Sequence, residues 1–181
     1  MRAFVALELP SPLKAKVAAF QERLRREWTG INWVDSAQFH VTLSFLGEVE
    51  LKDTSRLLEA VRELAMGREV LRLSLGGVGF FPVRQRARVV FLDFREGQDE
   101  LAGLLQACRQ WMAKGGFHPA GGNPHPHLTL GRCRREEDFG MDNLPAFNSN
   151  YFLVREICLY ESILTPTGPL YRPLGRSSLS G

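Results

Sequence analysis

Apolar positions along the chain follow first a strand-like and then a helix-like spacing. Phe4-Val-Ala-Leu-Glu-Leu9 is a short, nearly continuous apolar run, which predicts a buried strand. Pro10 stops it, Ser11 is the expected helix N-cap with Pro12 at the first helical position, and Leu13, Val17, Phe20 and Leu24 then recur at helical spacing. The same order returns further on. Val89 to Phe94 predicts a second strand, and after a break at Gly97 a second amphipathic helix is laid out by Leu101, Leu104, Leu105, Cys108, Trp111 and Met112. Beyond each helix stands one tetrapeptide pattern, His40-Val-Thr-Leu43 and His127-Leu-Thr-Leu130, apolar and β-branched enough to predict a strand. Phe4 to Val89 is a step of 85 residues and His40 to His127 one of 87, so strand, helix and His strand recur nearly in step. Further strands are expected over Val70 to Phe80 and Phe152 to Tyr160. A helix with Leu57, Leu58, Val61 and Leu64 on one face precedes the former, whereas Glu136 to Asn150, rich in Asn, Gly and Pro, predicts mostly loop.

Two β-α-β-α-β-like halves are therefore expected, about residues 1–82 and 86–165, joined by the connector Pro82 to Arg88. They predict the two lobes of a single domain spanning residues 1–181, related by an approximate twofold axis with a cleft between them. Separate domains of about 85–90 residues would each have a thin core. Composition narrows the class. A chain of 181 residues that is 44% hydrophobic and 24% charged is globular, neither disordered nor membrane-spanning. The apolar stretch ending at Pro10 is too short for a signal-peptide core or a membrane span. Cys108, Cys133 and Cys158 are odd in number and form no CxxC pair, which argues against a disulfide framework or a cysteine zinc site and fits a reducing cytoplasm. The net charge of +3 permits a polyanionic partner without demanding one.

The candidate chemistry lies in the repeated tetrapeptides. Residues i and i+2 of a strand share a face, so His40 with Thr42, and His127 with Thr129, each present an imidazole beside a hydroxyl. A lone His-x-Thr in a strand is ordinarily a polar face. Here two of the four histidines occupy equivalent positions of an internal repeat, which chance rarely produces. Imidazole titrates near pH 6.5, so one ring can take a proton while its twin gives one, and two hydroxyls can donate to phosphate oxygens. Such a set suits phosphodiester chemistry without a metal. His125 and His127 also form a His-x-His pair, but the Asp and further His of a two-metal site are missing nearby, so no metal is expected. His125 lies between Pro124 and Pro126 on the approach to the strand, and His118 precedes Pro119 and a Gly-Gly-Asn turn, a loop reading. Arg84, Arg86 and Arg88 read either as a basic rim tracking an RNA backbone or as a soluble hairpin. Arg132 and Phe45 both lie at odd parity from their histidines. A regular strand would aim them away from the Thr face unless Gly131 allows a bulge or the strand ends there. On parity alone Phe45 reads as a core residue.

Four segments carry a resemblance: Met1-Arg-Ala-Phe-Val-Ala-Leu-Glu-Leu-Pro10, Phe39-His-Val-Thr-Leu-Ser-Phe-Leu-Gly47, His125-Pro-His-Leu-Thr-Leu-Gly-Arg132 and Glu161-Ser-Ile-Leu164. Together they resemble the two-histidine (2H) phosphoesterases, and within them the RNA 2′,3′-cyclic phosphodiesterases once called 2′-5′ RNA ligases, almost end to end. The resemblance implies a bilobal α+β fold in which two antiparallel sheets face a central cleft, with helices outside. It implies hydrolysis of RNA or nucleotide 2′,3′-cyclic phosphate termini to 2′-phosphomonoesters, with reverse 2′-5′ joining as the same chemistry and no cofactor. His40 would be the proton donor and His127 the acceptor, an assignment the symmetry of the two motifs leaves to the resemblance alone. Thr42, Thr129 and Arg132 would hold the phosphate, and Phe45 would stack a nucleobase. The expected partner is an RNA end or small cyclic nucleotide met by a monomer. The alternatives are a non-catalytic RNA-end-binding module and, behind it, a metal-dependent hydrolase.

Overall fold

The computed structural model describes residues 1–119, 125–140, 144–166 and 168–180. Strand β1 (Arg2–Glu8) leads through helix α1 (Ser11–Glu27) and the short β2 (Ile31–Trp33) to β3 (His40–Glu48), followed by α2 (Thr54–Ala65) and β4 (Leu71–Phe81). The chain continues through β5 (Ala87–Glu96), α3 (Gln98–Lys114), β6 (Leu128–Glu137), β7 (Phe152–Val154), β8 (Glu156–Thr165) and β9 (Gly168–Ser178). The strand expected over Phe152 to Tyr160 is broken at Arg155 into β7 and β8, which join different sheets. Strands β2 and β9 were not expected. The Gly-Gly-Asn turn and Pro124 lie outside the described residues, as do residues 141–143 of the expected loop. Of the rest of that loop, Glu136 and Glu137 end β6 and residues 144–147 form no regular element. Ser11 is not the cap of α1: Pro10 holds the cap position without a side-chain hydrogen bond, and Ser11 is already helical with Pro12 in the first turn.

Two sheets, in the orders β3-β1-β8-β9 and β2-β6-β5-β4-β7, make an α+β fold in which every strand pair is antiparallel. Each sheet draws strands from both halves of the repeat, so the sheets do not coincide with residues 1–82 and 86–165. The reason is local. Only a 3-10 turn at Arg84–Arg86 separates β4 from β5, and so short a connection makes them antiparallel neighbours. Strand β8 makes the reciprocal exchange, pairing with β1.

Strand parity positions the cleft. On β1, Ala3, Val5 and Leu7 face the main core with Val17 and Leu24 of α1 and Leu57 and Leu64 of α2. Phe4 and Ala6 point to the other face, where they pack with Cys158 and Tyr160 of β8 and against Tyr171 of β9. A strand covered on both sides must be apolar at successive positions, which explains its continuous run. Among the described residues no helix is long and apolar enough to cross a membrane.

Candidate active site

Both His-x-Thr strands carry an extra residue at the same place. Between β3 and β1 the partners are His40 with Glu8, Thr42 with Ala6, Ser44 with Val5 and Phe45 with Phe4, leaving Leu43 unpaired. Between β6 and β5 they are Thr129 with Phe91, Gly131 with Val90 and Arg132 with Val89, leaving Leu130 unpaired. One extra residue reverses parity beyond it, which brings Phe45 to the face of Thr42 and Arg132 to that of Thr129. Phe45 is accordingly 49% exposed and not part of the core, contrary to the reading from parity. Gly131 is not the extra residue, but a Cβ there would stand 2.5 Å from Ile31 Cγ2, so its role is to let β2 lie against β6. The Leu130 carbonyl accepts hydrogen bonds from Gln21 Nε2 at 2.9 Å and from the Val34 amide at 2.9 Å. Gln21, buried on α1, also donates to the Val34 carbonyl at 2.8 Å.

His40, Thr42, Phe45, His127, Thr129 and Arg132 all line one open cleft of about 1460 Å3. His40 Nδ1–H donates to the Gln38 carbonyl at 2.7 Å, and His127 Nδ1–H donates to the His125 carbonyl at 2.7 Å. A carbonyl can only accept, so in each neutral ring the proton sits on Nδ1 and Nε2 keeps its lone pair. His40 Nε2 accepts from the Thr42 hydroxyl at 3.0 Å. Aromatic rings hold both imidazoles: Phe4 and Tyr171 lie 5.0 and 5.2 Å from His40, Phe81 and Phe91 lie 4.9 and 5.2 Å from His127. Burial pushes His40 down to about 4 against the opposing pull of the Gln38 carbonyl, and the positive charges of Lys14, His127 and Arg132 add to the fall. Burial also lowers His127, the His125 carbonyl opposing it. Both rings are therefore neutral in the free protein at pH 7. Next to them, partial burial works to raise the Glu8 carboxyl, but the Tyr160 hydroxyl and Arg176 outweigh it and hold Glu8 below its usual value.

The positive charge lining the cleft comes from Lys14, Arg25, Arg132 and Arg176. Arg84, Arg86 and Arg88 are not among its lining residues, and Arg86 and Arg88 pair with Glu136. His118 stands outside any element, as expected, and His125 bonds to Asp93. Sequence reasoning missed Tyr160, Tyr171 and Gln38. Tyr171 lies on β9, whose Pro- and Gly-rich sequence conceals a strand. Among the described residues no three His, Cys, Asp or Glu side chains gather as a metal-ligand set.

Two antiparallel sheets bordering a cleft with a duplicated His-x-Thr pair define a phosphoesterase of the two-histidine class. A profile of the LigT-like phosphoesterases matches residues 7–91. The RNA 2′,3′-cyclic phosphodiesterase of Archaeoglobus fulgidus is 33% identical over 177 residues, 96% of this chain and 98% of that one. The enzyme of that name from Thermotoga maritima is 29% identical over 183 residues, 100% of this chain and 97% of its own. The crystal structure of Escherichia coli LigT complexed with 3′-AMP superimposes with a TM-score of 0.84 at 26% identity, covering 99% of this chain and 98% of LigT. A Thermus thermophilus protein superimposes equally well, with a TM-score of 0.84, 28% identity and the same coverage. The chain belongs to the LigT-like phosphoesterase family.

Proposed function

We propose that the protein opens 2′,3′-cyclic phosphate ends of RNA, or small cyclic nucleotides, to 2′-phosphomonoesters by metal-independent acid–base catalysis. His127 Nε2 takes a proton from water as the water oxygen bonds to phosphorus, and the 3′-oxygen departs in line with the proton of His40 Nε2–H. Thr42, Thr129 and Arg132 donate to the non-bridging oxygens, and Phe45 offers its exposed ring to the nucleobase. The observation that supports this reading most is the matched hold on the two imidazoles, each lining one cleft with Nδ1 committed to a backbone carbonyl, so that Nε2 is left for chemistry, at His40 beside the Thr42 hydroxyl. The names of the full-length relatives support the same activity. Because burial holds His40 neutral at pH 7, its charge must come with the substrate, whose phosphodiester anion stabilises the imidazolium beside it. A 5′-hydroxyl in place of water would follow the same course, its oxygen bonding to phosphorus as the 3′-oxygen departs, and give a 2′-5′ linkage. The three cysteines are buried free thiols, which fits a monomer working in a reducing cytoplasm.

The test is incubation of an oligoribonucleotide ending in a 2′,3′-cyclic phosphate, with and without EDTA, followed by identification of the product end. A 2′-phosphate formed at the same rate in both is expected. A 3′-phosphate, tight binding without turnover, or activity lost to EDTA and restored by zinc would overturn the reading.

A further inference from the structure

The two histidines differ in how their backbones are held. His40 belongs to the β1–β3 ladder, opposite Glu8, and follows Phe39, which is only 1% exposed. His127 stands one residue before β6, and the paired register with β5 ends at Leu128 opposite Leu92. Side chains supply the missing tether. His125 Nε2–H donates to Asp93 Oδ1 on β5 at 3.1 Å, and the same oxygen accepts the Phe94 amide at 2.8 Å, which fixes the carboxylate. The carbonyl of His125 in turn accepts Nδ1–H of His127. Pro126 between them is buried and restricts the backbone. His125 also packs on the rings that hold His127, 5.9 Å from Phe81 and 5.9 Å from Phe91. Two hydrogen bonds on Asp93 Oδ1 and one on the His125 carbonyl, joined through the covalent frame of His125, thus connect the backbone of β5 to Nδ1 of His127. The first motif repeats the device with other residues: the Gln38 carbonyl accepts from His40 while Gln38 Nε2 donates to the Pro169 carbonyl of β9.

We propose that Asp93 and His125 are positioning residues for His127, holding the carbonyl that keeps its proton on Nδ1 and its Nε2 bare toward the cleft. The proposal rests on the reading of His127 as the proton acceptor. A neutral imidazole carries one proton, and the nitrogen that bears it is decided by the acceptor within reach. If the His125 carbonyl drifts away, the Nε2–H tautomer becomes populated. That form has no lone pair with which to take a proton from water.

The experiment combines kinetics with 15N spectra of the histidine rings in the intact protein. His125→Ala and Asp93→Ala should each lower kcat roughly 10- to 100-fold with little change in KM, as displaced supporting groups do. The double variant should be no slower than either single one, because both changes break one connection. His125→Gln keeps a side-chain donor for Asp93 and should recover most of kcat. In the wild type the His127 spectrum should report protonated Nδ1, and in the two Ala variants a shift toward Nε2–H. An unchanged tautomer in His125→Ala, losses that multiply in the double variant, or a Gln variant as slow as the Ala variant would overturn the proposal. Should an Ala variant fail to fold, His125→Phe, which keeps a ring against Phe81 and Phe91 without a donor, and Asp93→Leu, which fills the space without an acceptor, carry the same spectral comparison. Failure of the functional reading would show separately, as wild-type protein inert toward cyclic phosphate, while the ring spectra would still decide the positioning.

Discussion

In the proposed mechanism His40 bears a charge during turnover, and in the free protein its desolvation leaves it without one. This gives the pH dependence a definite sign. In the free protein both rings are lowered, His40 to about 4, so the molecule with one protonated and one neutral ring becomes more abundant below pH 6.5. A bound phosphodiester anion favours the imidazolium and raises the values. The basic limb of kcat/KM, which reports free enzyme, is therefore expected at lower pH than the basic limb of kcat, both belonging to the coupled pair. Coincident limbs, or kcat/KM still rising above pH 8, would contradict the arrangement. Stability carries the same signature. An unfolded His40 titrates near 6.5 and a folded one near 4, so between those values the unfolded chain binds more protons and stability falls as pH falls. Replacing His40 with Gln removes that contribution, on the order of 2–3 kcal/mol at pH 4 by the same linkage. Thermal unfolding of His40→Gln should thus be less acid-sensitive than that of the wild type from pH 6.5 to 4, and parallel curves would refute the buried-neutral state. At neutral pH, His40→Ala or His127→Ala should each slow turnover by ~10²–10⁴-fold, and the pair together little more.

At the scale of elements, the matched bulges decide what reaches the cleft. Without the extra Leu130, Arg132 would point into the wrong face of β6, so whatever satisfies the freed Leu130 carbonyl also aims the guanidinium. Gln21 does so from α1, a different element, alongside the Val34 amide. Gln21→Ala leaves buried carbonyls short of a donor and should cost about 1–3 kcal/mol in denaturant unfolding, with KM for the cyclic phosphate raised as Arg132 loses its aim. Unaltered stability and KM would show that the bulge holds without the amide. The same geometry explains what could be read from the sequence. His40 and His127 stand out because duplication writes the motif twice, and β1, α1, α2 and α3 show clear apolar spacing. Phe45 and Arg132 are misdirected by simple alternation because each bulge exists only in the register with a partner strand distant in sequence. Strand β9 is hidden because Pro169, Pro173 and Gly175 lower its strand signal, while pairing along its whole length with β8 overrides that weakness. Its Tyr171, against the His40 ring, is hidden with it. Strand β2 has three residues, too few for any period.

At the scale of the molecule, the exchange of β4 and β8 makes the halves of the repeat interdependent. Residues 1–83 alone would carry β4 without its long partner β5, and β1 without β8, exposing Phe4 and Ala6 where Cys158 and Tyr160 now cover them. The remainder would have β5 and β6 without β4 between β5 and β7. Helix α2 of the first half also packs against α3, β8 and β9 of the second, so helical contacts cross the division as the sheets do. Such a molecule should unfold in one transition, with circular dichroism and the fluorescence of Trp28, Trp33 and Trp111 changing together. A sharper test cuts the chain in the exposed turn between β4 and β5, where Arg84 and Arg86 lie on a 3-10 turn and few core contacts are lost. Residues 1–84 and 85–181 made separately should each lack a cooperative transition. Mixed at equal concentration they should recover the native spectrum and the turnover of cyclic phosphate, since the surfaces they need are those of the other fragment. A cooperative transition in either fragment alone would mean that one sheet folds on strands from its own half, and that the exchanged strand is an addition to a finished lobe and not a part required to complete it.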